Sequence, residues 1–123
     1  MPEGENHKRY DLEERTFLFA KRVPAWVRSF NRTALNIDDI RQLIRCSGSV
    51  AGNYIEANDA LSKKDLLLRA KVSRREGKES RFFLRLVDTG FDPAIESERQ
   101  VLVQEATEIV SILSAIIRKC EGA

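Results

Sequence analysis

An all-α fold, an up-down-up-down four-helix bundle, is what this sequence predicts, and three observations carry the prediction. Apolar residues recur in alternating steps of three and four along four separate stretches, the rhythm of one helical face. Short connections rich in Asn, Asp, Ser and Gly separate those stretches. The chain has 123 residues, 42% hydrophobic and 33% charged, with three prolines and six glycines, which suits one helical domain with its own core. Residues 1–10 read as a disordered tail. Residues 11–123 read as the bundle, with helices at about 11–30, 37–61, 63–89 and 93–120.

Helix one begins where Asp11 and Glu14 resemble a capping box. Its stripe is Leu12, Thr16, Phe19, Val23, Trp26 and Phe30. Pro24 lies inside it, so a kink is expected near Ala20–Pro24 rather than a stop. Trp26 reads as core. Asn36, Asp38 and Asp39 then give helix two an acidic start. Its stripe is Ile40, Leu43, Ser47, Val50, Tyr54, Ala57 and Leu61, with Ile44, Gly48, Ala51 and Ile55 beside it. Glycines at 48 and 52 cost about 1 kcal/mol each in an exposed helix, so close packing against a neighbouring helix or another subunit is expected. Ser62 caps helix three, whose stripe is Leu66, Ala70, Ser73, Gly77, Ser80, Leu84 and Val87. Small residues in both middle stripes predict that helices two and three approach closely. Gly90 marks the stop, and Asp92-Pro93 opens helix four as N-cap and first residue. Helix four carries Ile95, Leu102, Ala106, Ile109, Leu113, Ile116 and Cys120, with Val103, Val110 and Ile117 alongside. That face is wider than one core needs; it is either a generous core face or partly a contact with another chain.

Several function classes fall away. His7, the one histidine, lies in the tail, and Cys46 and Cys120 have no metal-ligand spacing, so no metal site and no cofactor are expected. With no histidine on a helix, neither a di-metal carboxylate centre nor an activated Ser or Cys nucleophile can be assembled. The chain is expected not to be an enzyme. No apolar run of the roughly 20 residues that cross a bilayer stands out, and the thiols read as free, so a cytoplasmic setting is expected.

Charge is distributed unevenly. Residues 1–61 balance nine basic against nine acidic side chains. Residues 62–85 hold nine basic and three acidic, and residues 86–123 hold three basic and seven acidic. Helix three is therefore basic and helix four acidic. Arg41 and Arg45 on helix two, with Lys71, Arg74, Lys78, Arg81 and Arg85 on helix three, could form a ridge that matches nucleic-acid phosphates. The alternative is a solvated face neutralised by helix four. Asn53 and Glu56, one turn apart on helix two, could join Arg75 and Glu79 in a structural polar network that fixes helix register. A ligand pocket at that cluster is the other reading. No base-reading motif is present, so any binding should act through backbone and shape.

Three stretches are similar to a known family. They are Gln42-Leu-Ile-Arg-Cys-Ser-Gly-Ser-Val-Ala-Gly-Asn-Tyr-Ile-Glu-Ala57, Ser62-Lys-Lys-Asp65, and Arg74-Arg-Glu-Gly-Lys-Glu-Ser80 with Leu84-Arg-Leu86. Together with Tyr10-Asp-Leu-Glu-Glu-Arg-Thr-Phe17, they resemble the small four-helix-bundle proteins encoded by intervening sequences in bacterial large-subunit ribosomal RNA genes. The chain also looks like the accessory variability determinant of diversity-generating retroelements. The resemblance implies a ring-like homo-oligomer, a homopentamer, with ribosomal or other structured RNA as its partner. It offers no catalytic group. Pro24, Cys46 and Gly77 depart from the pattern. A protein-interaction scaffold without nucleic-acid binding is the rival.

Overall fold

The computed structural model describes residues 5–122, with side chains from residue 12 onward. Four helices follow one another: α1 (Glu5–Val27), α2 (Ile37–Asn58), α3 (Lys63–Leu86) and α4 (Pro93–Gly122). The expected tail falls partly on residues 1–4, outside the described set, and partly on the first turns of α1. The side chain of Asp11, the expected cap, is also outside it.

Cross-helix contacts give the direction of each helix. Trp26 Nε1 donates to the Ile95 carbonyl, Arg22 meets Glu98 and Arg15 meets Glu105, so α1 and α4 run antiparallel. Ser73 Oγ donates to the Val50 carbonyl and Arg69 reaches Asn53, so α2 and α3 do too. Arg81–Thr107 and Arg74–Ser114 repeat the relation for α3 and α4. Contact is most extensive between α2 and α3 and sparsest between α1 and α4. This is the up-down-up-down bundle that the periodicity predicts.

The core stripes hold with few exceptions. Leu12, Phe19, Val23, Trp26, Ile40, Leu43, Val50, Tyr54, Leu84, Leu102, Ile109 and Leu113 are buried in one cluster. The expected close seam between α2 and α3 is present. Ser73 spans it to an α2 backbone carbonyl at 2.8 Å, and Ser80 Oγ donates to Cys46 Sγ at 3.3 Å. Burial pushes the Cys46 thiol pKa up, although the Ser80 hydrogen bond opposes it. Both cysteines are free thiols.

Gly77 serves a different contact from the one expected. A Cβ there would lie 2.9 Å from Val110 Cγ2 on α4, so this glycine sets the α3–α4 spacing. Valine in a helix has little rotamer freedom with which to yield. Overpacking of this kind costs about 1–3 kcal/mol, whereas alanine gains about 1 kcal/mol of helix propensity. Gly77→Ala should therefore lower the melting temperature modestly, and a thermal melt with and without Val110→Ala should show the two sites coupled.

Other boundaries differ for local reasons. α1 continues through Pro24 and ends at Val27, one turn before Phe30. Ser29 and Phe30 then donate backbone bonds to the carbonyls three residues back, a tightened final turn that still buries Phe30. α2 ends at Asn58, which leaves Leu61 fully exposed instead of continuing the stripe. α3 ends at Leu86 and not at Thr89; Gly90 and then Phe91 take positive φ, 86° and 69°. Asn36 does not cap α2 with its side chain. It accepts from Thr33 N and donates to the Asn31 and Asp88 carbonyls, which ties the α1–α2 connection to the α3–α4 connection. Ser62 does cap α3, accepting from Asp65 N.

Two expectations about exposed apolar surface are corrected. Of the second α2 line only Ala51 is buried; Ile44, Gly48 and Ile55 face outward. Among the described residues, no neighbouring heavy atom lies within 4 Å of a Cβ built on Gly48 or Gly52, so none of them packs on these glycines. α4, by length and composition, is long and apolar enough to cross a membrane, which a count of consecutive apolar residues overlooked. In this fold it is a bundle helix, with Leu102, Ala106, Ile109, Val110, Leu113 and Ile117 buried.

Candidate nucleic-acid interface

At 100° per residue, Lys71, Arg74, Lys78, Arg81 and Arg85 fall on one side of α3, turned away from α2 and toward the outer edge of α4. They span 15 residues, a rise of about 21 Å. The α4 residues along the same edge are uncharged over most of its length. Arg74 Nη1 reaches Ser114 Oγ and Arg81 Nη1 reaches Thr107 Oγ1, each at 3.5 Å. Lys71 pairs with Glu121 at 3.0 Å. Arg74, Lys78, Arg81 and Arg85 have no carboxylate partner among the described residues.

The carboxylates of α4 are used elsewhere. Glu105 and Glu108 both accept from Arg15, and Glu98 accepts from Arg22, all on α1. Hydrogen bonds from Gln104 and then Arg15 hold the Glu108 pKa below its ordinary value. Acidic α4 therefore neutralises α1, and basic α3 is left with uncharged hydroxyl neighbours, of which Thr107 already donates to the Val103 carbonyl.

The carboxylates of α3 turn the other way. Glu76, 6% exposed, and Glu79 face α2, where Arg45 reaches both at 3.4 Å. Arg75 lies 3.8 Å from Glu76. The structure thus places Arg45 in the α2–α3 polar seam, and Arg41 beside Asp38 in the first turn of α2. Neither joins the α3–α4 face, and the single ridge across helices two and three is not formed. Among the described residues the expected polar network is not joined as such: Arg75 meets only its neighbour Glu76, and Glu79 meets Arg45. Asn53 makes a separate link, accepting from Arg69 and donating to Ser49. Glu56 is exposed and has no ion pair among the described residues; the buried carboxylate is Glu76. Its position one turn before Ser80 in the α3 rhythm was the signal.

Two further residues escape the sequence reading. Arg99 is 6% exposed and occupies the core line of α4, between Ile95 and Leu102. Its Nη1 donates to the Leu84 carbonyl, its Nε and Nη2 to Glu96, and its guanidinium lies 5.4 Å over the Trp26 ring. Phe82 is 57% exposed on the outer side of α3, while its neighbour Phe83 packs on the core. Among the described residues no group of three or more His, Cys, Asp or Glu could hold a metal ion.

Comparison with known proteins bears on the fold. No protein-family model and no curated protein matches the chain. A solved structure from Bacteroides thetaiotaomicron, described as a protein with unknown function from the S23 ribosomal protein family, is similar with a TM-score of 0.78. The match covers 90% of this chain and 98% of that one, at 20% sequence identity. At that identity the likeness carries the helical fold alone.

Proposed function

We propose that this chain is a non-enzymatic, cytoplasmic bundle protein that self-associates and binds RNA or another nucleic acid through its phosphates. The observation that carries the reading is the row Arg74, Lys78, Arg81 and Arg85, which has hydroxyl neighbours and no carboxylate partners. A row of cations left without intramolecular neutralisation matches a polyanion better than a small ligand. The ribosomal-protein-family description of the structural neighbour and the resemblance to proteins encoded within ribosomal RNA genes point toward RNA. If five phosphates are engaged, the logarithm of the binding constant should fall with the logarithm of salt at a slope of about −3.5 for a single strand and about −4.5 for a duplex. Filter binding of ribosomal RNA fragments at graded salt tests this; retention independent of salt rejects it.

Self-association, with a homopentamer as the resemblance-based expectation, rests on the open face of α2. Ile44, Gly48, Gly52 and Ile55 are exposed there, and among the described residues nothing packs on the two glycines. In a lone subunit Gly48→Ala with Gly52→Ala should stabilise by about 1 kcal/mol per site. If another subunit's backbone lies against them, the added methyl groups should instead break the assembly. Sedimentation of the wild type and the double variant, with a melt of each, distinguishes the two. A monomeric wild type whose double variant is only more stable removes the self-association part.

A further inference from the structure

We propose that Phe82 is a stacking platform for an unpaired base, so that the partner of the α3 face is single-stranded nucleic acid or a single-stranded segment of a folded one. This rests on the phosphate-binding reading above and narrows it. Phe82 is flanked on the same helical face by Lys78 one turn before and Arg85 one turn after, with Arg75 two turns before; Glu79, also one turn before, is engaged by Arg45 of α2. Its ring meets Phe83 edge-on, with centroids 5.0 Å apart and planes at 80°, and Phe83 is itself packed against the core. The platform is thus buttressed from within while more than half of the residue faces outward. Leu86, also exposed, continues the apolar floor one turn further on.

The contrast with Phe17 is instructive. That phenyl is similarly exposed on α1, but the ammonium of Lys21 lies 5.6 Å from its centroid. Among the described residues no cation sits over Phe82. An aromatic face bordered by cations offers what a flexible strand needs: charges for successive phosphates and a surface for a base between them. A duplex, whose bases are already stacked on each other, can use only the charges. A two-fold contact of two copies through this patch would bring two net-positive surfaces together, which opposes association. A nucleic acid supplies the complementary charge and the π face together.

Fluorescence anisotropy tests the proposal with the full chain, a labelled single-stranded 12-nucleotide RNA and a blunt duplex of the same length. Phe82→Ala should weaken single-strand binding about 5- to 100-fold, change duplex binding little, and lose the same factor at low and high salt. Phe82→Trp should retain the wild-type affinity. Lys78→Gln with Arg85→Gln should weaken both ligands and flatten the salt dependence. Circular dichroism melts check that each variant folds, which exposure of all three side chains favours. If Phe82→Ala leaves single-strand binding unchanged while the charge variant weakens it, stacking is overturned and phosphate binding stands. If the wild type binds neither ligand, both readings fail. If Phe82→Ala alters only the oligomeric state, the ring belongs to a protein contact and the proposal is overturned.

Discussion

Arg99→Ala should lower the stability of this bundle by about 3 kcal/mol, a fall in melting temperature of roughly 10 °C. The guanidinium is almost fully enclosed, and each of its edges has a partner. One nitrogen satisfies the Leu84 carbonyl, an orphan of the last turn of α3. Two others hold Glu96, with N–O distances of 3.0 Å, and Thr89 Oγ1 lies within 3.4 Å. Alanine would leave a buried carbonyl without its donor, the Glu96 carboxylate with only the Thr89 hydroxyl among the described residues, and a hollow beneath Trp26. Removing one member of a fully buried ion pair costs about 3–5 kcal/mol; Glu96 is partly exposed and can rehydrate, which favours the lower end.

The same contact has a pH signature. Hydrogen bonds from Arg99, and then from Thr89, hold the Glu96 pKa below its ordinary value. A carboxyl depressed in the folded state contributes stability that is full above the unfolded pKa and is lost as pH falls through the folded one. The gap between wild type and Arg99→Ala in urea titrations should therefore be wide at pH 7 and narrow as the solution is acidified below about pH 4.5. An equal gap at both pH values would assign the loss to packing on Trp26 and the bond to the Leu84 carbonyl, and not to Glu96.

Replacing Arg74, Lys78 and Arg85 together by glutamine should reduce the magnitude of the salt slope by about 2–3 and nearly abolish binding at 0.15 M salt, with the fold intact. None of the three has a carboxylate partner among the described residues, so their removal strands no buried charge. The matched control is Arg15→Gln with Arg22→Gln. Those cations are already occupied by Glu105, Glu108 and Glu98 on the α1–α4 side, so their loss should spare RNA binding. Equal loss in both triple and double variants would show that net charge, and not the α3 face, governs retention.

The helices were legible because periodicity records which side chains face inward. Serines 73 and 80 read correctly as seam residues, and Ser47 as buried, because their spacing matched the apolar stripes on either side. Periodicity is blind to what an outward or polar residue touches. It favoured Glu56 for the polar network, although it is Glu76 that turns into the α2–α3 seam. It grouped Arg41 and Arg45 with the α3 cations because charge was counted along the chain, whereas Glu76 and Glu79 draw Arg45 aside. Arg99 was overlooked for the converse reason. Its spacing from Ile95 and Leu102 is that of a core position, and its charge hid it. The adjacent phenylalanines 82 and 83 carried a usable clue, since neighbours 100° apart on a helix cannot both point at one core.

The sparse α1–α4 contact has a consequence for how the chain is assembled. Every other helix pair joins sequence neighbours across a short turn, so little loop-closure entropy is lost in forming it. The α1–α4 seam ties residues 69 to 93 positions apart, through Trp26–Ile95, Arg22–Glu98 and Arg15–Glu108. Ordering cost is thus concentrated at one lengthwise closure, on the side of the barrel away from Lys78 and Arg85. A molecule with α1 swung outward would lose the shelter of Phe19 and Trp26 while its α3–α4 hairpin, and the cations on it, stayed in register.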